Sequence, residues 1–428
     1  MRFLYVSLIL TASCSLCACH NDMSEPIPPL SDITYDSSSG LQLFYNGEPM
    51  PGKTVKISQS GNNAHITAFS TFDLSQISGM GLSGKIPAPG VLPGSPKLEL
   101  DTEIQNTGEY WEFSGTSQTA FCSFNYAGYA DSNNLKLYIT DAALKGAVIS
   151  PQVWAPSPIK QNPDGTYSSL PFYIDWKYDP LPDVDINLSA FLEALATLPV
   201  IPVYNNTAYM SVSEALSEVV KTIAFRQDGN IIISYVSTVG GAAQIAQTQP
   251  NGYQYVISSP TTISLYLNPL SLFSTLLMAT SGSTPASEVN LTDTGLFPYG
   301  SDSTGKPDAS SNPLEPEFTQ KIAKAALLAL LPKLADGIPL EFSATASNLN
   351  IFIGTETALS LIQQILLPVI SEDSNIQAIE KYLAGNPAFA HLLPNLKRAL
   401  ELIPEALLKT TTFKFGFSLV PYQTPPTN

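Results

Sequence analysis

The sequence predicts an α+β fold: a β-rich antiparallel domain, barrel- or sandwich-like, followed by an α+β domain. The chain of 428 residues carries 35 prolines and 26 glycines and only 13% charged residues, which favours strands and turns over long exposed helices. Short runs of alternating apolar and polar residues recur between turn signals over residues 31–150. Beyond residue 183, helical and strand periodicities alternate.

Residues 31–150 form the predicted all-β antiparallel domain. Asn46-Gly47 marks a hairpin, because both central positions of that turn need positive φ. Thr54–Ser58 alternates, Ser60-Gly61-Asn62-Asn63 turns, and Ala64–Phe69 returns. Lys97–Asp101, Tyr110–Phe113, Phe121–Tyr126 and Leu135–Thr140 read as further strands, with Asp131-Ser132-Asn133-Asn134 between the last pair. Cys122, in a strand-like run with no histidine near it in sequence, reads as a buried structural thiol.

Residues 151–182, rich in proline and aromatics, are predicted to cross between domains, with Tyr173–Trp176 a candidate strand. The α+β domain covers 183–428. Helices are expected at Ser189–Leu198, from the capping box Ser211-Val212-Ser213-Glu214 to about Lys221, at Phe318–Leu334, Thr357–Leu367, 374–384 and 395–408. Asp228-Gly229 turns a hairpin between Ile223–Phe225 and Ile231–Ile233. Tyr253–Ile257, Ile263–Leu267, Leu340–Ala346 and Leu349–Ile353 are strands. Ile263–Leu267 plus helix matches Leu349–Ile353 plus helix, as a degenerate repeat or as common α+β grammar would give. Phe413, Phe415, Phe417 and Leu419 share one face of a strand expected to complete a sheet. A flexible loop or flap is expected at 281–312.

Charge and cysteine usage bound the function. The net charge is −16, spread along the chain, and the arginines are Arg2, Arg226 and Arg398. Clustered cations that would displace counterions from phosphates are missing, so nucleic acid is not an expected partner. At the start, Arg2 precedes an apolar run, Phe3–Leu10, too short for the roughly 20 residues of a membrane span but suited to a signal peptide over 1–18. Leu16-Cys17-Ala18-Cys19 resembles the lipobox of bacterial lipoproteins, although Cys17 stands where Ser or Ala is usual. That resemblance implies cleavage between Ala18 and Cys19, diacylglycerol on the Cys19 thiol, and acylation such as palmitate. The anchored chain would then hang on a tether over 19–30, with its Pro26, Pro28 and Pro29. Cys14 is a poorer alternative because it lacks the leucine.

No catalytic constellation stands out. The histidines His20, His65 and His391 have no ligand-like spacing, and no nucleophile elbow, phosphate loop or zinc motif appears. No catalytic residue, metal site or cofactor is therefore expected, and the chain reads as non-enzymatic. Asp179, Asp183 and Asp185 read as a solvated acidic loop more readily than a cation site. Aromatics are the richest remaining resource: Trp111, Trp154 and Trp176 can serve either as core or as stacking platforms for sugar rings.

The lipobox, the hairpin signal Tyr45-Asn46-Gly47 running on to Gly52-Lys53, and the helix–Asp228-Gly229–strand unit together resemble the large domain-of-unknown-function lipoproteins of Bacteroidota. The resemblance implies a calycin- or lipocalin-like β segment at the front. It also implies an outer-membrane location, on either the periplasmic or the surface-exposed face. The leading expectation is an envelope lipoprotein that binds an apolar or glycan-like ligand in a β-rich cleft. The alternatives are a structural or assembly subunit working through an envelope protein partner, and a hydrolase with a dispersed carboxylate site.

Overall fold

In the computed structural model, the described residues are 27–76, 83–146, 149, 151–163, 167–181, 186–196, 201–203, 208–237, 244–269, 328–370, 372–385 and 393–423. They form a β-rich α+β fold whose sheets are mainly antiparallel.

The front part is a sandwich. A four-stranded sheet orders Ile33–Tyr35, Thr54–Ser60, Asn63–Phe69 and Lys97–Glu103. A six-stranded sheet orders Glu48–Pro49, Leu41–Tyr45, Leu135–Leu144, Cys122–Ala130, Trp111–Gln118 and Gln105–Asn106. Alternate residues face inward, as the period of a strand requires. Val55, Ile57, Ile66 and Leu100 of one sheet thus meet Leu43, Phe113, Leu137 and Ile139 of the other in one core. Asn46 and Gly47 have φ of 49° and 88°, as the predicted hairpin requires. One pairing departs from the antiparallel expectation: Leu41–Tyr45 runs parallel to Leu135–Ile139. No tight turn joins these strands, so their direction is set by the long connection between them rather than by a hairpin.

On the inner face, glycines make room for aromatics from adjoining strands. A Cβ on Gly128 would lie 2.6 Å from the Phe113 ring, and one on Gly115 would lie 2.5 Å from the Tyr126 hydroxyl. Lys53 is buried beside this core and donates to the carbonyls of Pro89 and Gly90 at 2.6 and 3.0 Å. Burial holds its pKa down at about 8.

Residues 151–182 are more than a crossover: Val153–Pro156 and Phe172–Tyr178 are strands of the second, ten-stranded sheet. The second of these strands contains the candidate strand Tyr173–Trp176; the first ends in Pro156, and prolines, which suit strand ends, disguised it as a connector. The centre of this sheet is Thr410–Pro421. It pairs with Leu349–Ile353 on one side and with Phe172–Tyr178 and Val153–Pro156 on the other. Its Phe413 enters a core formed with the helices Leu188–Ala196, Thr355–Leu361 and Leu393–Leu408. Its Leu419 enters a separate core with Trp154, Phe225 and Tyr255. Phe417, between them, is 42% exposed.

The sheet curls into a half-barrel. Its ends approach where Asn230 bridges Gln254 and the Tyr255 N–H donates to the Gly229 carbonyl at 2.8 Å. The curled sheet thus lies in the second part of the chain, while the front segment is a sandwich. The expected capping box is formed, with Ser211 and Glu214 exchanging bonds of 2.8 and 3.2 Å, and its helix ends at Val219. Ile263–Leu267 and Leu349–Ile353, the strands of the expected repeat, flank Ile338–Ala344 in this sheet. The helix expected after the first, through Leu276, the front of Phe318–Leu334 and the loop 281–312 lie outside the described residues.

Sandwich and half-barrel are joined through buried contacts. The Tyr45 hydroxyl donates to the Asp228 carbonyl at 2.6 Å, and the Leu144 N–H donates to the Gln227 carbonyl at 2.7 Å. Cys122 and Leu144 of the sandwich belong to the half-barrel core. Cys122 is fully buried, and burial pushes its thiol up to about 11. At a second contact, Phe72 and Leu74 pack with Leu331, Leu334 and Ile338.

Candidate functional site: the outer face of the six-stranded sheet

Trp111, Trp154 and Trp176, the residues singled out as stacking platforms, are all buried. The Trp111 indole donates to the Pro28 carbonyl at 3.1 Å, and the Trp176 indole to the Thr410 hydroxyl at 2.9 Å. Trp154 is at the centre of the half-barrel core. Large aromatic area is worth most in a core, and these side chains present no open face for a sugar ring. The tether is expected to run to residue 30, but its described end packs on the sandwich. Leu30 is buried in the sandwich core, Ile27 packs against it, and the Leu30 N–H donates to Gln59 at 2.7 Å. Ala18 and Cys19 lie outside the described residues, as do Asp183 and Asp185.

The aromatic surface is formed by other residues. Outward positions of the six-stranded sheet carry Phe44, Lys136, Tyr138 and Tyr129. Parallel pairing sets Phe44 directly beside Tyr138, and the rings stack at 5.2 Å with planes 16° apart. The Lys136 ammonium lies 5.6 Å from the centre of the Phe44 ring and 5.3 Å from that of Tyr138. The Lys136 ammonium donates to the Tyr138 hydroxyl, and this bond raises the lysine pKa above its ordinary value. Tyr129, opposite Lys136 and 39% exposed, packs on Tyr110 at 5.1 Å.

Phe44 covers one face of Tyr138. On the other side the adjoining strands place small exposed residues, Ala127 and then Ser114. The result is a trough floored by Ala127 and Ser114, walled by Tyr138, with Tyr129 and Lys136 at one end. At the other end is an open polar recess of ≈ 380 Å³, lined by Thr116, Ser117, Gln118, Ser123, Asn125 and Asp141. Within it the Asn125 amide donates to Asp141 at 2.8 Å.

Asp141 is placed there by an irregularity. The pairing of Cys122–Ala130 with Leu135–Leu144 shifts between Ser123 and Asn125. Opposite the shift, Asp141 has φ of 51°, a conformation that non-glycine residues rarely adopt. A bulge turns an extra side chain outward, so Thr140 and Asp141 are both exposed. An aromatic wall beside converging hydroxyl, amide and carboxylate groups suits a ligand with apolar ring faces and many hydroxyls.

Sequence reasoning named the tryptophans and missed this face. An available signal is the aromatic at an outward position in Leu135-Lys136-Leu137-Tyr138-Ile139, where alternation predicts a polar residue. Among the described residues, no group of three or more His, Cys, Asp or Glu is placed to hold a metal ion, and no helix is long and apolar enough to cross a membrane. No protein-family model, no curated protein and no solved structure matches the chain.

Proposed function

We propose that this chain is a non-enzymatic binding protein of the bacterial cell envelope, anchored by lipid on Cys19, that holds a glycan on the outer face of its sandwich. The observation that carries the reading is the trough beside Tyr138, with aromatic rings along one wall and the Asn125–Asp141 recess at its end. Rings supply apolar surface for the C–H faces of a sugar, and the recess supplies acceptors and donors for its hydroxyls. The lipobox-like Leu16–Cys19 supports the anchor.

The test is a glycan array probed with the chain carrying Cys19→Ala, followed by titration of each hit against Tyr138→Ala and Asn125→Ala. Binding weakened by both variants supports the reading. No bound glycan, or hits indifferent to both variants, overturns it. The anchor is tested separately by fatty-acid labelling, which Cys19→Ala should abolish.

A second reading, a partner-binding subunit, is favoured by the strand Gln244–Gln247. It stands at the end of the ten-stranded sheet, with Ile245 62% exposed. A strand at the end of a sheet can accept a strand from another chain. A stoichiometric partner lost on Ile245→Lys would support it.

A further inference from the structure

The charges around the trough narrow the ligand class, on the reading of this face as a glycan site. Lys136 stands beside Tyr138, and among the described residues no carboxylate forms an ion pair with it. Lys56, Lys160 and Lys221 likewise form none among the described residues; what sets Lys136 apart is its place at the Phe44 and Tyr138 rings. Lys97, Lys177, Lys409 and Lys414 each have an acidic partner within 4.0 Å. The nearest acidic residue across the sheet from Lys136 is Glu112, and Tyr129 separates them in the register. Two strand spacings are about 10 Å, so Glu112 does not neutralise the ammonium.

The opposite end of the trough has the opposite sign. Asp141 presents a carboxylate there, on backbone held at φ of 51°. Strained backbone of this kind persists where the surrounding structure holds it, and it clusters at binding sites. Lys136 and Thr140 are four residues apart on one strand, so the trough spans about 13 Å from its cationic to its anionic end. That length accommodates a short oligosaccharide rather than a single ring.

We propose that the trough selects acidic oligosaccharides. A uronate ring lies against Tyr138 above Ala127 with its carboxylate on Lys136 Nζ. The hydroxyls of a neighbouring sugar enter the Asn125–Asp141 recess. The carboxylate of a uronate gives Lys136 an anionic partner, where the protein supplies the Tyr138 and Tyr129 hydroxyls. Asp141 accepts hydroxyl donors and repels a second carboxylate, which fixes the polarity of the bound chain.

The test uses the Cys19→Ala chain with tetrasaccharides of galacturonate, of mannuronate and of hyaluronan, each beside its methyl-esterified form. For at least one pair, the free acid should bind about tenfold tighter than the ester at low salt, the effect of one charge-assisted contact. Lys136→Met should erase that ratio. Asp141→Asn should admit more highly charged chains. Equal binding of acid and ester, or a ratio that survives Lys136→Met, overturns the acidic selectivity. If only neutral glycans bind, and Tyr138→Ala weakens them, the selectivity falls and the glycan site stands. If no glycan binds, both fall.

Discussion

Phe44 and Tyr138 stack with planes 16° apart because a parallel strand pair sets them at the same register, although the rest of the sandwich is built from antiparallel pairs. The same register puts Leu43 and Tyr45 inward beside Leu137 and Ile139. One pairing therefore builds core on one face and a binding wall on the other.

Ligand binding and stability should separate by face. Phe44→Ala and Tyr138→Ala remove half-buried outer rings and should leave the unfolding midpoint nearly unchanged. Trp111→Ala and Trp154→Ala remove core side chains and should cost about 3–5 kcal/mol, read by urea unfolding. Large destabilisation by the outer-face variants would contradict the assignment.

The glycines under the inner aromatics should differ in tolerance. A Cβ at Gly128 would lie 2.5 Å from the Lys136 carbonyl, a backbone atom that cannot swing away. At Gly115 the nearest atom is the end of the Tyr126 side chain, at 2.5 Å. Gly128→Ala should cost about 1–3 kcal/mol and exceed Gly115→Ala in denaturant titrations.

Stability should rise between pH 7 and 9 through Lys53. Its folded pKa of about 8 lies below the ordinary 10.5, so the unfolded chain binds more protons between those values. The burial penalty is complete below about pH 8 and is relieved as pH rises. By pH 9 the gain should be about 1 kcal/mol, and Lys53→Met should abolish it. Cys122 acts oppositely: its folded pKa is about 11 against an ordinary 9. Its contribution is intact below pH 9 and lost as pH climbs through 11. A flat profile for the wild type between pH 7 and 9 would refute the Lys53 account.

The joint between sandwich and half-barrel should report on Tyr45. Tyr45→Phe leaves the buried Asp228 carbonyl without its 2.6 Å donor and should cost about 1–3 kcal/mol. Because the contact spans both parts, amide exchange should accelerate around Ile231–Ser237 as well as in the sandwich.

Local chemistry was legible in the sequence. The turn at Asn46-Gly47, the capping box at Ser211 and Glu214, the Asp228-Gly229 hairpin and the strand around Phe413–Leu419 each depend on residues close in the chain. What escaped depends on distant pairing. Phe44 and Tyr138 meet only through the parallel register, and Asp141 is turned outward by a pairing shift that no local pattern announces. The tryptophans drew attention by their chemistry, but their burial is decided by which sheets close over them. The strand Val153–Pro156 was masked by proline, which sequence reading takes as a sign of linkers, whereas the strand at Tyr173–Trp176 was legible.

The position of Thr410–Pro421 constrains how the protein is made. Its neighbours at Val153–Pro156, Phe172–Tyr178 and Leu349–Ile353 cannot find their common partner until the ribosome has passed residue 421. The sandwich pairs only residues from Ile33 to Leu144 and can close while synthesis continues. The half-barrel can pair its flanking strands locally, Val220–Phe225 with Ile231–Ser237 and Tyr253–Ser259 with Thr262–Leu267, but cannot join them before that point. Closure of the ten-stranded sheet is therefore expected to be the last step of folding, after the sandwich and the local hairpins have formed.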